Sequence, residues 1–175
     1  MNAATPHGDD AVKRRDFLYI SSGAFIGIGV AATAWPFIDQ MNPTADVLAL
    51  SSTEVDISGI EKGQEITINW RGKPVFIRHR TAAEIEAAES VDLAELKDPQ
   101  PDADRVQKPE WLILIGVCTH LGCVPLAYQG DYHGWFCPCH GSHYDTSGRI
   151  RKGPAPLNLF VPPYQYLSDT IVKIG

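Results

Sequence analysis

The stretch "CPCHGSHYD", residues 137–145, puts two cysteines and two histidines into nine positions. A second stretch, "CTHLGC" at residues 118–123, holds the other two cysteines of the chain and a third histidine. Read together they give Cys118-x-His120, a gap of sixteen residues, and Cys137-x-x-His140. Thiolates and imidazoles in such a pattern are ligands for zinc or for an iron–sulfur centre. A structural Cys2His2 zinc site fits poorly, because zinc folds open on a C-x-x-C knuckle and Cys123 and Cys139 would be left over. All four cysteines sit in one local constellation, which reads as a site and not as staples spread over a secreted chain. His143 follows His140 by three residues and is equally able to bind a metal, but it reads as a supporting residue. His7, His79 and His133 have no ligand partner at a useful spacing.

A scaffold must hold these two loops face to face, and the flanking sequence supplies short strands. "QEITINW" and "KPVFIRH" flank Arg71-Gly72 as the arms of a hairpin. Thr81-Ala-Ala-Glu84 matches a capping box and opens a short helix to about Glu89. "KDPQPDADRVQKPE" is a Pro- and Asp-rich loop, and "WLILIGV" from Trp111 to Val117 is a buried strand that delivers the chain to Cys118. Beyond the second loop, Leu157 to Val161, Tyr164 to Leu167 and Thr170 to Ile174 read as further strands between Pro and Ser-Asp turns. The expected fold is mainly antiparallel β: a head domain over 53–175 with a small cluster-binding part at about 116–156.

Ahead of the head, residues 1–16 end in "KRRD", and an uncharged run from Phe17 to Ile38 follows. Its 22 residues exceed the roughly 20 that a bilayer-spanning helix needs, so it reads as a transmembrane anchor. Lys13, Arg14 and Arg15 before it, against Asp39 after it, place the N-terminus in the cytoplasm and the head on the far side. Arg14-Arg15 with Asp16-Phe17-Leu18 also resembles a twin-arginine export signal, the route of proteins that load a cofactor before export. Ala32-Thr33-Ala34 offers a peptidase site, but Trp35 and Pro36 after it are awkward, so the anchor is expected to be retained. Gly23 and Gly27 form a G-x-x-x-G pair suited to close helix packing. Residues 39–52, around Pro43, read as a tether. A net charge of −6 and the lack of a basic cluster in the body of the chain exclude a nucleic-acid binder.

Taken together, the two boxes, the anchor, the tether and the segment Gly153-Pro154-Ala155-Pro156 resemble the Rieske iron–sulfur proteins, specifically those of bacterial ubiquinol:cytochrome c reductase (cytochrome bc) complexes. Only residues from about 80 to 110 carry no motif of that family. The resemblance implies one [2Fe–2S] cluster per chain, with Cys118 and Cys137 on one iron, His120 and His140 on the other, and a Cys123–Cys139 disulfide between the loops. It implies that Ser142 and Tyr144 donate hydrogen bonds to the cluster sulfurs, while Leu121 and Gly153 to Pro156 shield it. It implies electron transfer from ubiquinol to a c-type cytochrome, with His140 meeting the quinol and taking its proton. The chain would be an oxidoreductase (translocase) subunit, inactive alone, beside cytochrome b and a c-type cytochrome in a dimeric complex of the bacterial inner membrane. Two imidazoles in place of two thiolates make the oxidised cluster less negative, which suits quinol oxidation: Rieske centres lie at roughly −150 to +300 mV, plant-type ferredoxins near −400 mV. An exported Rieske carrier serving a non-quinol oxidase is the rival expectation.

Overall fold

A computed structural model of the chain describes residues 13–44 and 51–175, in two units divided at Leu48–Ala49. Among the described residues, the first unit has the helix α1 (Arg14–Asp39). Its 26 residues extend roughly 39 Å at ~1.5 Å each, against about 30 Å of bilayer hydrocarbon. The carboxylate of Asp16 accepts the Lys13 N–H and so satisfies one of the unpaired donors at the helix start. It is the one helix among the described residues long and apolar enough to cross a membrane.

In the second unit the strands are β1 (Thr53–Asp56), β2 (Glu65–Trp70), β3 (Lys73–His79), β4 (Trp111–Ile115) and β5 (Leu126–Ala127). After them come β6 (Trp135–Cys137), β7 (Ser142–Tyr144), β8 (Ile150–Lys152), β9 (Tyr164–Tyr166) and β10 (Ile171–Ile174). They form three antiparallel sheets, in the orders β1-β10-β9, β2-β3-β4 and β5-β6-β7-β8. Arg71 and Gly72 both take positive φ, 50° and 73°, which is the turn geometry that matches strand twist in a two-residue hairpin. The expected mainly β class therefore holds.

The β2-β3-β4 sheet is the middle layer, and its strands β3 and β4 bury apolar residues on both faces. Val75, Ile77, Trp111 and Ile113 pack with Ile57, Val172 and Ile174 into one core. Phe76, Leu112 and Leu114, the alternate residues, pack with Trp135, Tyr144, Cys118 and Cys137 into the other. Burial on both faces explains the unbroken apolar run in "WLILI", since a strand with one wet face would alternate. The helix α2 (Ala82–Glu89) begins at Thr81, whose hydroxyl accepts the Glu84 N–H while the Glu84 carboxylate accepts the Thr81 N–H.

One expected strand is absent. Residues 157–161 form no ladder, because Pro156 and Pro162-Pro163 bound the stretch and lack the N–H groups a strand would use. Its backbone and side chains are spent on a turn and on strand ends instead: Leu159 N–H donates to Gly148 O, Phe160 O accepts from Ile115 at the end of β4, and Asn158 Oδ1 accepts from Ile150 at the start of β8. The strand ahead of the first box also ends early, at Ile115 instead of Val117.

Candidate metal centre

β4 ends three residues before Cys118, and β6 ends on Cys137 itself, so each loop leaves a strand that is fixed in the site-side core. The two loops then close in the same way. Cys118 O accepts from Gly122 N–H at 2.9 Å, and Cys137 O accepts from Gly141 N–H at 3.0 Å. Both glycines sit at positive φ, 85° and 74°, a conformation that side chains other than glycine's strain to adopt. A disulfide joins Cys123 to Cys139 and ties the first loop to the second, the pairing that the resemblance implies.

The sulfurs of Cys123, Cys137 and Cys139 lie within 4.8 Å of one another, but two of them are spent in the disulfide. Cys118 and Cys137 remain free, each 2% exposed. His120 is half-buried and His140 exposed, and their rings meet edge to face with centroids 4.7 Å apart. The arrangement is polarised: thiols on the protein side, imidazoles on the water side. Burial pushes the Cys118 thiol up, but hydrogen bonds, led by that from Tyr144, outweigh it and hold the thiol below its ordinary value. At Cys137 burial wins and the thiol sits above its ordinary value.

Tyr144, fully buried on β7, donates its hydroxyl to Cys118 Sγ at 3.2 Å. Ser142 Oγ accepts the Ala155 N–H at 3.2 Å, which leaves the Ser142 proton free to point at the same sulfur. Ala155 belongs to the Gly153–Pro156 segment; Gly153, at φ 99°, packs so closely on Gly141 and Ser142 that a Cβ there would collide with their backbone. Leu121 stands 72% exposed beside His120. His143 turns away: its Nδ1 accepts the Asp131 N–H at 3.1 Å, and its ring packs on Phe136. His79 stacks on Trp111 and its Nδ1 meets Ile60 O, which makes it a structural residue. His7 lies outside the described residues.

Thr119 was not anticipated from sequence. Its N–H points to Tyr144 Oη at 3.3 Å, which occupies a lone pair and leaves the phenolic proton for sulfur, and its Oγ1 donates to Leu157 O at 2.6 Å. No signal marks it except its place between Cys118 and His120. Two buried thiols with hydrogen-bond donors aimed at sulfur, and two imidazoles at the rim, fit a group that takes two sulfur and two nitrogen ligands from opposite sides.

The family model described as "Rieske [2Fe-2S] domain" matches residues 55–165. A second, described as "Ubiquitinol-cytochrome C reductase Fe-S subunit TAT signal", matches residues 4–44. The chain is 61% identical over 178 residues to the ubiquinol-cytochrome c reductase iron-sulfur subunit of Rhodospirillum rubrum, with 99% of this chain and 96% of that one covered. It is 58% identical over 159 residues to the mitochondrial cytochrome b-c1 complex subunit Rieske of Neurospora crassa, covering 91% of this chain and 69% of the relative. Among solved structures, a chain of a hyperthermophilic respiratory Complex III superposes with a TM-score of 0.53 at 28% identity, covering 87% of this chain and 98% of that one.

Proposed function

Because this chain belongs to the Rieske [2Fe-2S] family, among the iron–sulfur subunits of ubiquinol-cytochrome c reductase, we propose that it takes one electron and one proton from ubiquinol and passes the electron to a c-type cytochrome. The observation that carries this reading is the polarity of the donor set, with buried thiols behind and an exposed imidazole in front.

Cys118 and Cys137 would hold one iron of the cluster from the protein side, and His120 and His140 the other from the open side. When bound, a cluster with this ligand set supplies a one-electron acceptor in the Rieske range of roughly −150 to +300 mV. His140 is exposed, so the ring nitrogen left free by the metal can reach a quinol hydroxyl and take its proton. Tyr144 and Ser142 donate to sulfur and so favour the more negative state of the centre. The Cys123–Cys139 disulfide and Gly153–Pro156 hold the loops together, and Leu121 covers the rim beside His120.

The chain works as part of an oxidoreductase of the translocase type and does not turn over alone; its partners are cytochrome b and a c-type cytochrome in a dimeric complex. Lys13, Arg14 and Arg15 before the anchor and Asp39 after it support a cytoplasmic N-terminus and a periplasmic head in a bacterial inner membrane. Arg14 and Arg15 serve the export signal. We divide the chain into a cytoplasmic segment 1–16, an anchor 17–38, a tether 39–52 and a head 53–175. The test is to solubilise the native membrane gently and isolate the chain by an affinity tag. Co-isolation of b- and c-type haem with ubiquinol-dependent cytochrome c reduction is expected; isolation with neither haem overturns the reading.

A further inference from the structure

Pairing of β2 with β3 sets Glu65 opposite Arg78 and Thr67 opposite Phe76, so Glu65 and Arg78 share the face of the middle sheet that looks toward the metal centre. Both side chains are buried, 8% and 6% exposed. One cation here serves two carboxylates. Arg78 Nε and Nη2 donate to Glu84 Oε1, and the other Glu84 oxygen accepts from the Thr81 N–H and hydroxyl at 2.8 and 3.1 Å. Glu65 meets Arg78 Nη1 at no closer than 4.0 Å, and among the described residues its Oε2 accepts no hydrogen bond. Trp135 Nε1, also buried, likewise has no hydrogen-bond partner, and it faces Glu65 closely enough to favour the charged carboxylate. Tyr128, just after β5, covers the Arg78 guanidinium at 3.9 Å and completes the set of groups around Glu65.

Two carboxylates around one buried guanidinium hold one proton at little cost, and the less supported of the two, Glu65, is the one that holds it. Burial pushes its carboxyl up to about 7. Trp135 is joined to the roots of both ligand loops, directly to the second and through Phe76 to the first. It lies two residues before Cys137 on β6 and pairs with Tyr144, the donor to Cys118. Its ring stacks on Phe76, 6.1 Å between centroids, and Phe76 fills the space against Gly116, two residues before Cys118.

We propose that Glu65 is a positioning residue for the metal centre: by exchanging one proton with solvent it makes or releases a hydrogen bond from Trp135 Nε1 and so adjusts the β6–β7 framework of Cys137 and Tyr144. The proposal rests on the reading of Cys118, His120, Cys137 and His140 as cluster ligands. The ionised form adds negative charge behind the centre and disfavours electron uptake.

The experiment compares midpoint potentials of the purified complex from about pH 5.5 to 8.5 in wild type, Glu65→Gln and Trp135→Phe, with electron paramagnetic resonance as readout. Any titration of the ligand histidines occurs in all three and cancels in the differences. Glu65→Gln should match wild type in acid, where both side chains are neutral, and shift to higher potential as pH rises through neutrality. A merely structural role would give an offset independent of pH, and that result overturns the proposal. Trp135→Phe keeps the carboxylate but not the N–H, so it should also depart from wild type in a pH-dependent way; a constant offset there overturns the Trp135 route and decides the matter even if Glu65→Gln fails to assemble. A wild-type complex without a Rieske-type signal would sink the ligand reading instead.

Discussion

His140 and His143 are chemically equal candidate ligands three residues apart, and the backbone sends them to different surroundings. After Gly141 the chain enters β7, where alternation points Ser142 and Tyr144 inward and leaves His143 to accept the Asp131 N–H on the other face. We therefore expect His140→Ala, like Cys118→Ser or Cys137→Ser, to abolish the electron paramagnetic resonance signal of the centre, and His143→Ala to retain it. The reverse pattern would exchange their roles. Tyr144→Phe removes the donor to Cys118 Sγ without opening a cavity. If that hydrogen bond is stronger by about 1.4 kcal/mol in the reduced state, redox titration should show a fall of roughly 59 mV with the signal intact. The four proposed ligands stand out in the sequence because the two boxes that hold them resemble those of the family. Thr119 does not, since its role depends on a tyrosine 25 residues away that folding brings to it.

The stretch from about 80 to 110, which carries no motif of the family, is the element that clamps the site from behind. Arg80 makes a two-pronged contact with Asp102 at 2.7 and 2.9 Å, and Asp102 also accepts from Ser147 in the β7–β8 turn. In that turn Arg149 bonds to Asp145 at 2.9 Å and reaches the Ala88 carbonyl at the end of α2. Arg105 joins Ser147 O to Leu159 O. Sequence reading identified the capping box of α2 because its four residues are contiguous. It missed the clamp because, apart from Arg149 and Asp145, its pairs span 22 to 61 positions, and charged residues in a polar loop look solvated. Asp102→Ala leaves the Arg80 guanidinium buried without its counter-charge and should destabilise the head by about 3–5 kcal/mol in denaturant unfolding. On the middle sheet the sign is opposite. Burial raises the Glu65 carboxyl from 4.5 to about 7, so the folded state binds the proton more tightly than the unfolded state. Its stabilising effect is fully present below about pH 4.5 and lost as pH rises through about 7, at most about 3 kcal/mol. Glu65→Gln should flatten the stability–pH curve across that window; an unchanged curve would show Glu65 ionised throughout.

At the scale of the whole molecule, the two hydrophobic cores described above are built from residues of the second unit. The apolar helix α1 and the Rieske unit are separate stretches of one chain, which fits an anchor that retains a head at the membrane and a head that does the chemistry. Residues 45–50, within the segment read as a tether, lie outside the described residues. Prolines at Ala45 and Asp46 fix φ at both positions and remove conformations the native sequence can visit. If the head must travel, the double substitution should slow ubiquinol-dependent cytochrome c reduction several-fold while the electron paramagnetic resonance signal and midpoint potential stay unchanged, because the ligand loops lie more than 70 residues downstream. Full turnover in that variant would mean that the head serves both partners from one position, and the exposed His140 would then have to reach the quinol without any movement of the head.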